Sequence, residues 1–161
     1  MMSEHTSYLT KTGFLMLRQE LNHLLKVERP SVVKDVSWAA SNGDRSENGD
    51  YIYGKKRLRQ IDSRVKYLLT AIEDSKIIDP KEQENRSRIF FGATVEYLNL
   101  IDSSHNRIQI VGVPEINPNE KKISWLSPLS KAILGKEKGD VISYETPSGS
   151  IEIEILSIKY L

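Results

Sequence analysis

The sequence predicts an α+β fold in which an antiparallel helical hairpin, residues 1–79, precedes a β-rich domain, residues 80–161. Three observations predict it. Two apolar stripes with spacings of three and four fill the first half, a polar segment rich in turn formers separates them, and beyond Pro80 the apolar period falls to two.

The first stripe runs Phe14, Leu17, Leu21, Leu24, one seam along a helix, with Thr12-Gly13 as its start signal. Its register breaks around Glu28 and Pro30 and resumes at Val33, Val36 and Ala40, so the seam shifts or bends near the proline while the helix continues. The second stripe, Tyr51, Gly54, Leu58, Ile61, Val65, Leu68, Ile72, is unbroken, with Gly54 its one weak member. Stripes of this kind joined by a short polar segment form an antiparallel coiled-coil hairpin. Its tip is the segment from Ser41 to Asp50. A helix over residues 13–40 is roughly 40 Å long, so the tip is expected to stand far from the rest of the chain.

After Ile77-Ile78-Asp79-Pro80, the polar run Lys81-Glu82-Gln83-Glu84-Asn85 reads as a linker. Residues 89–100, 107–113, 121–126, 141–146 and 151–161 read as strands of an antiparallel sheet. In the last of them Ile151, Ile153 and Ile155 alternate with Glu152 and Glu154, which buries one face and wets the other. Ser127-Pro128 followed by Leu129 to Leu134 reads as one short helix ended by Gly135, and Pro147-Ser148-Gly149 as a turn.

Composition narrows the function. The 161 residues contain no cysteine, which excludes disulfides, thiolate metal sites and thiol nucleophiles and fits a reducing compartment. There is no apolar run of transmembrane length, and Met1-Met2-Ser3-Glu4-His5 lacks the basic start of a signal peptide, so a cytoplasmic location is expected. A formal charge of +1 is too small for a general nucleic-acid binder, so any such contact comes from a local patch or through a protein partner.

The tip holds the tight acidic group Asp44, Glu47 and Asp50. Two carboxylates three residues apart at a helix start can share one divalent cation, and magnesium suits them. A capping role stands beside that reading, with Ser46 or Asp44 at the helix N-terminus and Glu47 in the first turn. Two carboxylates with no base, nucleophile or electrophile nearby make only half of a hydrolytic site. Behind the tip, Lys55, Lys56, Arg57, Arg59, Arg64 and Lys66 oppose only Asp62, a patch that can guide a phosphate backbone or simply flank the seam in solvent. Tyr51 lies on the seam stripe, whereas Tyr53 lies off it and is placed to stack on a base. His5, His23 and His105 have no metal-site spacing, and His23 reads as a surface residue.

The order Gly43-Asp44-Arg45-Ser46-Glu47-Asn48, Asp50-Tyr51 and Lys55-Lys56-Arg57-Leu58-Arg59-Gln60-Ile61-Asp62 closely resembles the signature of the GreB branch of the bacterial Gre transcript-cleavage factors. The resemblance continues through Glu28-Arg29-Pro30, Trp38-Ala39-Ala40, Phe90-Phe91-Gly92, Ser127-Pro128, Gly139-Asp140 and Thr146-Pro147, nearly the whole chain. It implies a monomer whose coiled-coil hairpin enters the secondary channel of RNA polymerase while a C-terminal FKBP-like domain docks at the rim. It further implies that Asp44 and Glu47, supported by Ser46, match the tip acids that hold a second Mg2+ with polymerase, so that the backtracked nascent RNA is hydrolysed near its 3′ end. On this view the protein is not itself an enzyme and holds no metal alone. Lys55, Lys56, Arg57, Arg59 and Tyr53 match a face associated with backtracked RNA, and Leu126, Ser127 and Pro128 a polymerase-docking loop.

Two departures stand out. Leu126 replaces an acid common in that loop, and Gly49 replaces a common alanine, which loosens the first turn of the second helix by up to ~1 kcal/mol. The competing functions are a channel-binding regulator that inhibits without cleavage, which Leu126 leaves open, and a free-standing metal nuclease, which lacks half of its metal shell.

Overall fold

The computed structural model describes residues 6–42 and 48–161. In chain order the elements are β1 (Ser7–Thr10), α1 (Lys11–His23), a π-helical turn (Leu24–Glu28), α2 (Arg29–Ser41), α3 (Gly49–Asp74), β2 (Ser75–Ile78), β3 (Thr94–Asn99), β4 (His105–Val111), β5 (Lys122–Ser124), α4 (Pro128–Ile133), β6 (Val141–Thr146) and β7 (Gly149–Lys159), with short 3-10 turns between β2 and β5. They form an α+β fold of two compact units. One is the helical segment Leu15–Asp74; the other joins the residues up to Phe14 to Ser75–Leu161. A single cut at residue 79 or 80 would assign β1 and β2 to the hairpin, whereas these strands belong to the sheet unit.

In the helical unit the seam buries Leu17, Leu24 and Ala39 from one side and Gly54, Ile61 and Leu68 from the other. Each member of the second predicted stripe is at least half-buried. The first stripe needs one correction after Leu24: Val33 is exposed, whereas Val32 and Ala39 turn inward together with the expected Val36 and Ala40. The cause is the π turn, in which the Arg29 N–H donates to the Leu24 carbonyl five residues back. Pro30 has no N–H and its ring would press on the carbonyl of Lys26, so a widened turn just before it relieves the clash. The helix start also moves. Thr10, rather than Thr12-Gly13, begins α1, its hydroxyl accepting the Gly13 N–H at 3.0 Å.

The sheet unit is built on the strand order β5-β4-β3-β7-β6. Ile153 and Ile155 of β7 are buried and Glu152 is exposed, as the alternation predicts. Together with Val95, Ile110, Ile89, Phe91 and Trp125 they form the core, on which α4 packs through Leu129 and Ile133, with Leu134 just past its end. Full burial of each such aliphatic side chain contributes about 1.5–3 kcal/mol.

Three expectations for this unit change. The sheet is mixed, because β5 runs parallel to β4, with Ile110 opposite Ile123. The 3-10 turns Val113–Glu115 and Pro118–Glu120 carry the chain back before it re-enters the sheet, which a tight hairpin could not do. The strand expected over residues 89–100 begins only at Thr94, since Gly92 turns the chain at φ 90° and donates to the Ile110 carbonyl at 2.9 Å. A second, two-stranded parallel sheet pairs β1 with β2, Leu9 opposite Ile77. Tyr8 of β1 enters the core, edge-on to Trp125 at 5.1 Å between ring centroids. The Glu115 carboxylate holds the strand end by accepting the Thr10 and Gly112 N–H groups, each at 2.9 Å, and the Thr10 hydroxyl. A Cβ at Gly112 would stand 1.9 Å from the Tyr8 carbonyl oxygen, so glycine is needed where β1 passes.

Candidate functional site

The tip acids Asp44 and Glu47, with Ser46, lie outside the described residues. Their flanks are described, and they decide one alternative. Asn48 is the N-cap of α3: its side-chain oxygen accepts the Tyr51 N–H at 3.1 Å, and its backbone carbonyl accepts the Ile52 N–H at 3.0 Å. The same side chain donates from Nδ2 to the Ala39 carbonyl at 2.6 Å, closing the hairpin between α2 and α3. The cap considered for Ser46 or Asp44 is therefore filled by Asn48. Asn at the residue before Gly49-Asp50 was the available signal, since Asn is among the strongest N-cap residues.

The basic stretch of α3 divides in two. Arg57 Nε donates to Glu28 Oε1 at 2.7 Å, and its Nη2 contacts the same oxygen. Arg64 pairs with Glu20 at 2.6 and 3.0 Å and lies 5.2 Å from the centre of the Tyr67 ring. These guanidiniums hold the two arms of the hairpin together, so the patch is not opposed by Asp62 alone; Asp62 itself pairs with Arg29 at 2.8 Å. Arg64, hydrogen-bonded to Glu20, holds that carboxyl below the usual carboxylate range, and Arg29 does the same for Asp62. Lys55, Lys56, Arg59 and Lys66 are exposed, with no ion pair among the described residues. Tyr51 is half-buried on the seam, while Tyr53 is 72% exposed.

In the sheet unit the Ser127 hydroxyl caps α4 by accepting the Ser130 N–H at 3.2 Å, and Pro128 occupies the first turn and is exposed. Leu126 is half-buried and packs against the core. Among the described residues no cluster of three or more His, Asp or Glu side chains is placed to hold a metal, and no helix is long and apolar enough to cross a membrane.

Residues 7–77 match the family described as "Transcription elongation factor, N-terminal", and residues 83–160 match "Transcription elongation factor, GreA/GreB, C-term". Transcription elongation factor GreB of Neisseria meningitidis serogroup B is 45% identical over 161 residues, covering 100% of this chain and 98% of that protein. The chain belongs to the GreA/GreB family of transcription elongation factors. GreB of Haemophilus influenzae is likewise 45% identical, over 157 residues, covering 96% of this chain and 97% of its own length. Among solved structures, GreA factor homolog 1 of Thermus thermophilus aligns at 26% identity with a TM-score of 0.44, covering 96% of this chain and 99% of that one. In this GreA/GreB factor the hairpin thus carries two distinct groups of charged residues, those spent on joining its arms and those left open behind the tip.

The roles of three residues are not legible in the sequence. Glu28 and Glu20 sit on the first arm, far in sequence from the arginines they engage, and charge pattern along one helix cannot reveal a cross-helix partner. Trp38, 65% exposed on α2, belongs to the motif Trp38-Ala39-Ala40, but it lies off both stripes and its spacing assigned it no role.

Proposed function

We propose that this GreA/GreB factor stimulates hydrolytic cleavage of backtracked nascent RNA by placing its hairpin tip in the secondary channel of RNA polymerase. The observation that carries the reading is the cap of α3. Because Asn48 satisfies the helix start and ties it to Ala39, the tip acids Asp44 and Glu47 are not needed for helix capping and are available to a partner. Two carboxylates supply oxygen ligands of the kind magnesium takes, but too few to hold it alone, so polymerase and water complete the shell. An ion held there would supply charge neutralisation and an activated water for phosphodiester hydrolysis. Asp44 and Glu47 orient that water; Ser46 supports them. Lys55, Lys56 and Arg59, free of ion pairs among the described residues, attract the extruded RNA backbone. Arg57 acts mainly through Glu28, as a tie between the arms. The loop ending at exposed Pro128 is the docking segment.

Stalled elongation complexes incubated with the protein and Mg2+ test the reading. The wild-type chain should release short 3′ fragments, whereas Asp44→Asn and Glu47→Gln should bind polymerase and cleave little. Full cleavage by both variants removes the metal-donation mechanism. Binding by the wild-type chain without cleavage would make it an inhibitory channel regulator, and cleavage of RNA in the absence of polymerase would make it a nuclease in its own right.

A further inference from the structure

Just behind the tip, α2 and α3 enclose a groove of about 280 Å³ lined by Val32, Asp35, Trp38, Asp50, Tyr53 and Gly54. Each helix contributes the same motif, an aspartate followed three residues later by an aromatic: Asp35 and Trp38 from α2, Asp50 and Tyr53 from α3. A separation of three residues sets the carboxylate and the ring on one helix face. Val32 and Gly54 give the groove an apolar floor, and behind it Gly54 lets Val36 approach to 2.4 Å from where a Cβ would be.

The chemistry of the walls selects the occupant. Farther from the tip, the carboxylate of Glu28 on the first arm meets a guanidinium, Arg57, on the second. At the groove both arms present a carboxylate, and among the described residues neither Asp35 nor Asp50 has an ion-pair partner. Two carboxylates repel a phosphate backbone, whereas they attract a cation, and the faces of Trp38 and Tyr53 add cation–π attraction to the same charge. Large exposed aromatics beside paired acids match what an arginine or lysine side chain of a partner protein needs: a planar or alkyl surface against the rings and hydrogen-bond acceptors at the charged head. We propose that this groove is a protein-docking site that receives a basic side chain, preferentially arginine, from a partner. The proposal is independent of metal donation by the tip acids.

The chain has two tryptophans, Trp38 exposed and Trp125 buried, so a nitrogen-15 correlation spectrum of the full-length protein reports the groove and an internal control through their two indole N–H signals. The probe is an acetylated, amidated tetra-arginine peptide titrated at low salt, with Trp38→Phe assigning the signals. The Trp38 signal should move saturably while the Trp125 signal stays still, and Asp35→Asn with Asp50→Asn should weaken the interaction roughly tenfold. No movement of Trp38, or equal movement in the double variant, would overturn the proposal. So would a uridine oligonucleotide that moves Trp38 where the arginine peptide does not, because the rings would then serve nucleic-acid bases.

Discussion

The Asn48 side-chain amide donates to the Ala39 carbonyl across 2.6 Å, so the residue that caps α3 also ends the seam of α2. One side chain thereby performs two tasks that are usually separate, satisfying an orphan N–H of one helix and giving the Ala39 carbonyl of the other a second donor beside the Asn42 N–H. This fixes where the two arms stop and where the tip segment begins.

Replacing Asn48 should loosen that junction locally. Asn48→Ala removes both bonds and should cost about 1–2 kcal/mol, read as faster hydrogen exchange at the Tyr51 amide that the side chain holds. Asn48→Asp keeps the acceptor for Tyr51 but loses the donor to Ala39, so it should recover the Tyr51 protection only in part. Equal protection in all three proteins would show that the cap is not what holds the turn.

Gly54→Ala reverses the usual rule for helices. Alanine is favoured over glycine by about 1 kcal/mol in a helix interior, yet a Cβ here would lie 2.4 Å from Val36 Cγ2. The substitution should therefore destabilise the hairpin, by about 1–3 kcal/mol. Adding Val36→Ala should relieve much of the loss. Denaturant unfolding of the two single variants and the double variant measures the coupling, and strict additivity would contradict the contact.

Acid should weaken the hairpin through Glu20. Its folded-state pKa lies below the ordinary carboxylate value because Arg64 donates to it, so the unfolded chain binds the proton more readily. The contribution is complete above the ordinary carboxylate range and disappears as pH falls through the lowered folded value. The pair is substantially exposed, so the effect is small and screened by salt. Thermal melts of wild type and Glu20→Gln should differ at pH 6 and converge toward pH 3; a pH-independent difference would assign the effect to packing.

Leu126→Asp tests a position whose surroundings alter its meaning. As a departure from an acid in a docking loop it invites the inference that an aspartate would restore a charge contact, but the side chain packs against the core formed with Trp125 and Ile133. Burying part of a carboxylate there should lower stability, by about 1–3 kcal/mol. Calorimetry of the variant should show a lower Tm, and any polymerase affinity should be compared at a temperature where both proteins are folded. An unchanged Tm would free Leu126 for a docking role alone.

The sequence by itself determined the elements whose signal is local. The second stripe from Tyr51 to Ile72, the alternation of Ile151, Ile153 and Ile155, and the cap and stop of α4 at Ser127 and Gly135 are all legible because periodicity and turn chemistry act over a few residues. The acids and bases near the tip were legible as residue types in the same way. Only tertiary structure decided which charges are occupied, since Glu28 with Arg57 and Glu20 with Arg64 are pairings between residues 29 and 44 positions apart. It also decided that β5 runs parallel to β4 and that Ser7–Thr10 joins the sheet unit beside Ser75–Ile78. Strand direction and partner depend on where the whole chain returns, and four-residue strands such as β1 and β2 carry too little pattern to announce a partner far along the sequence.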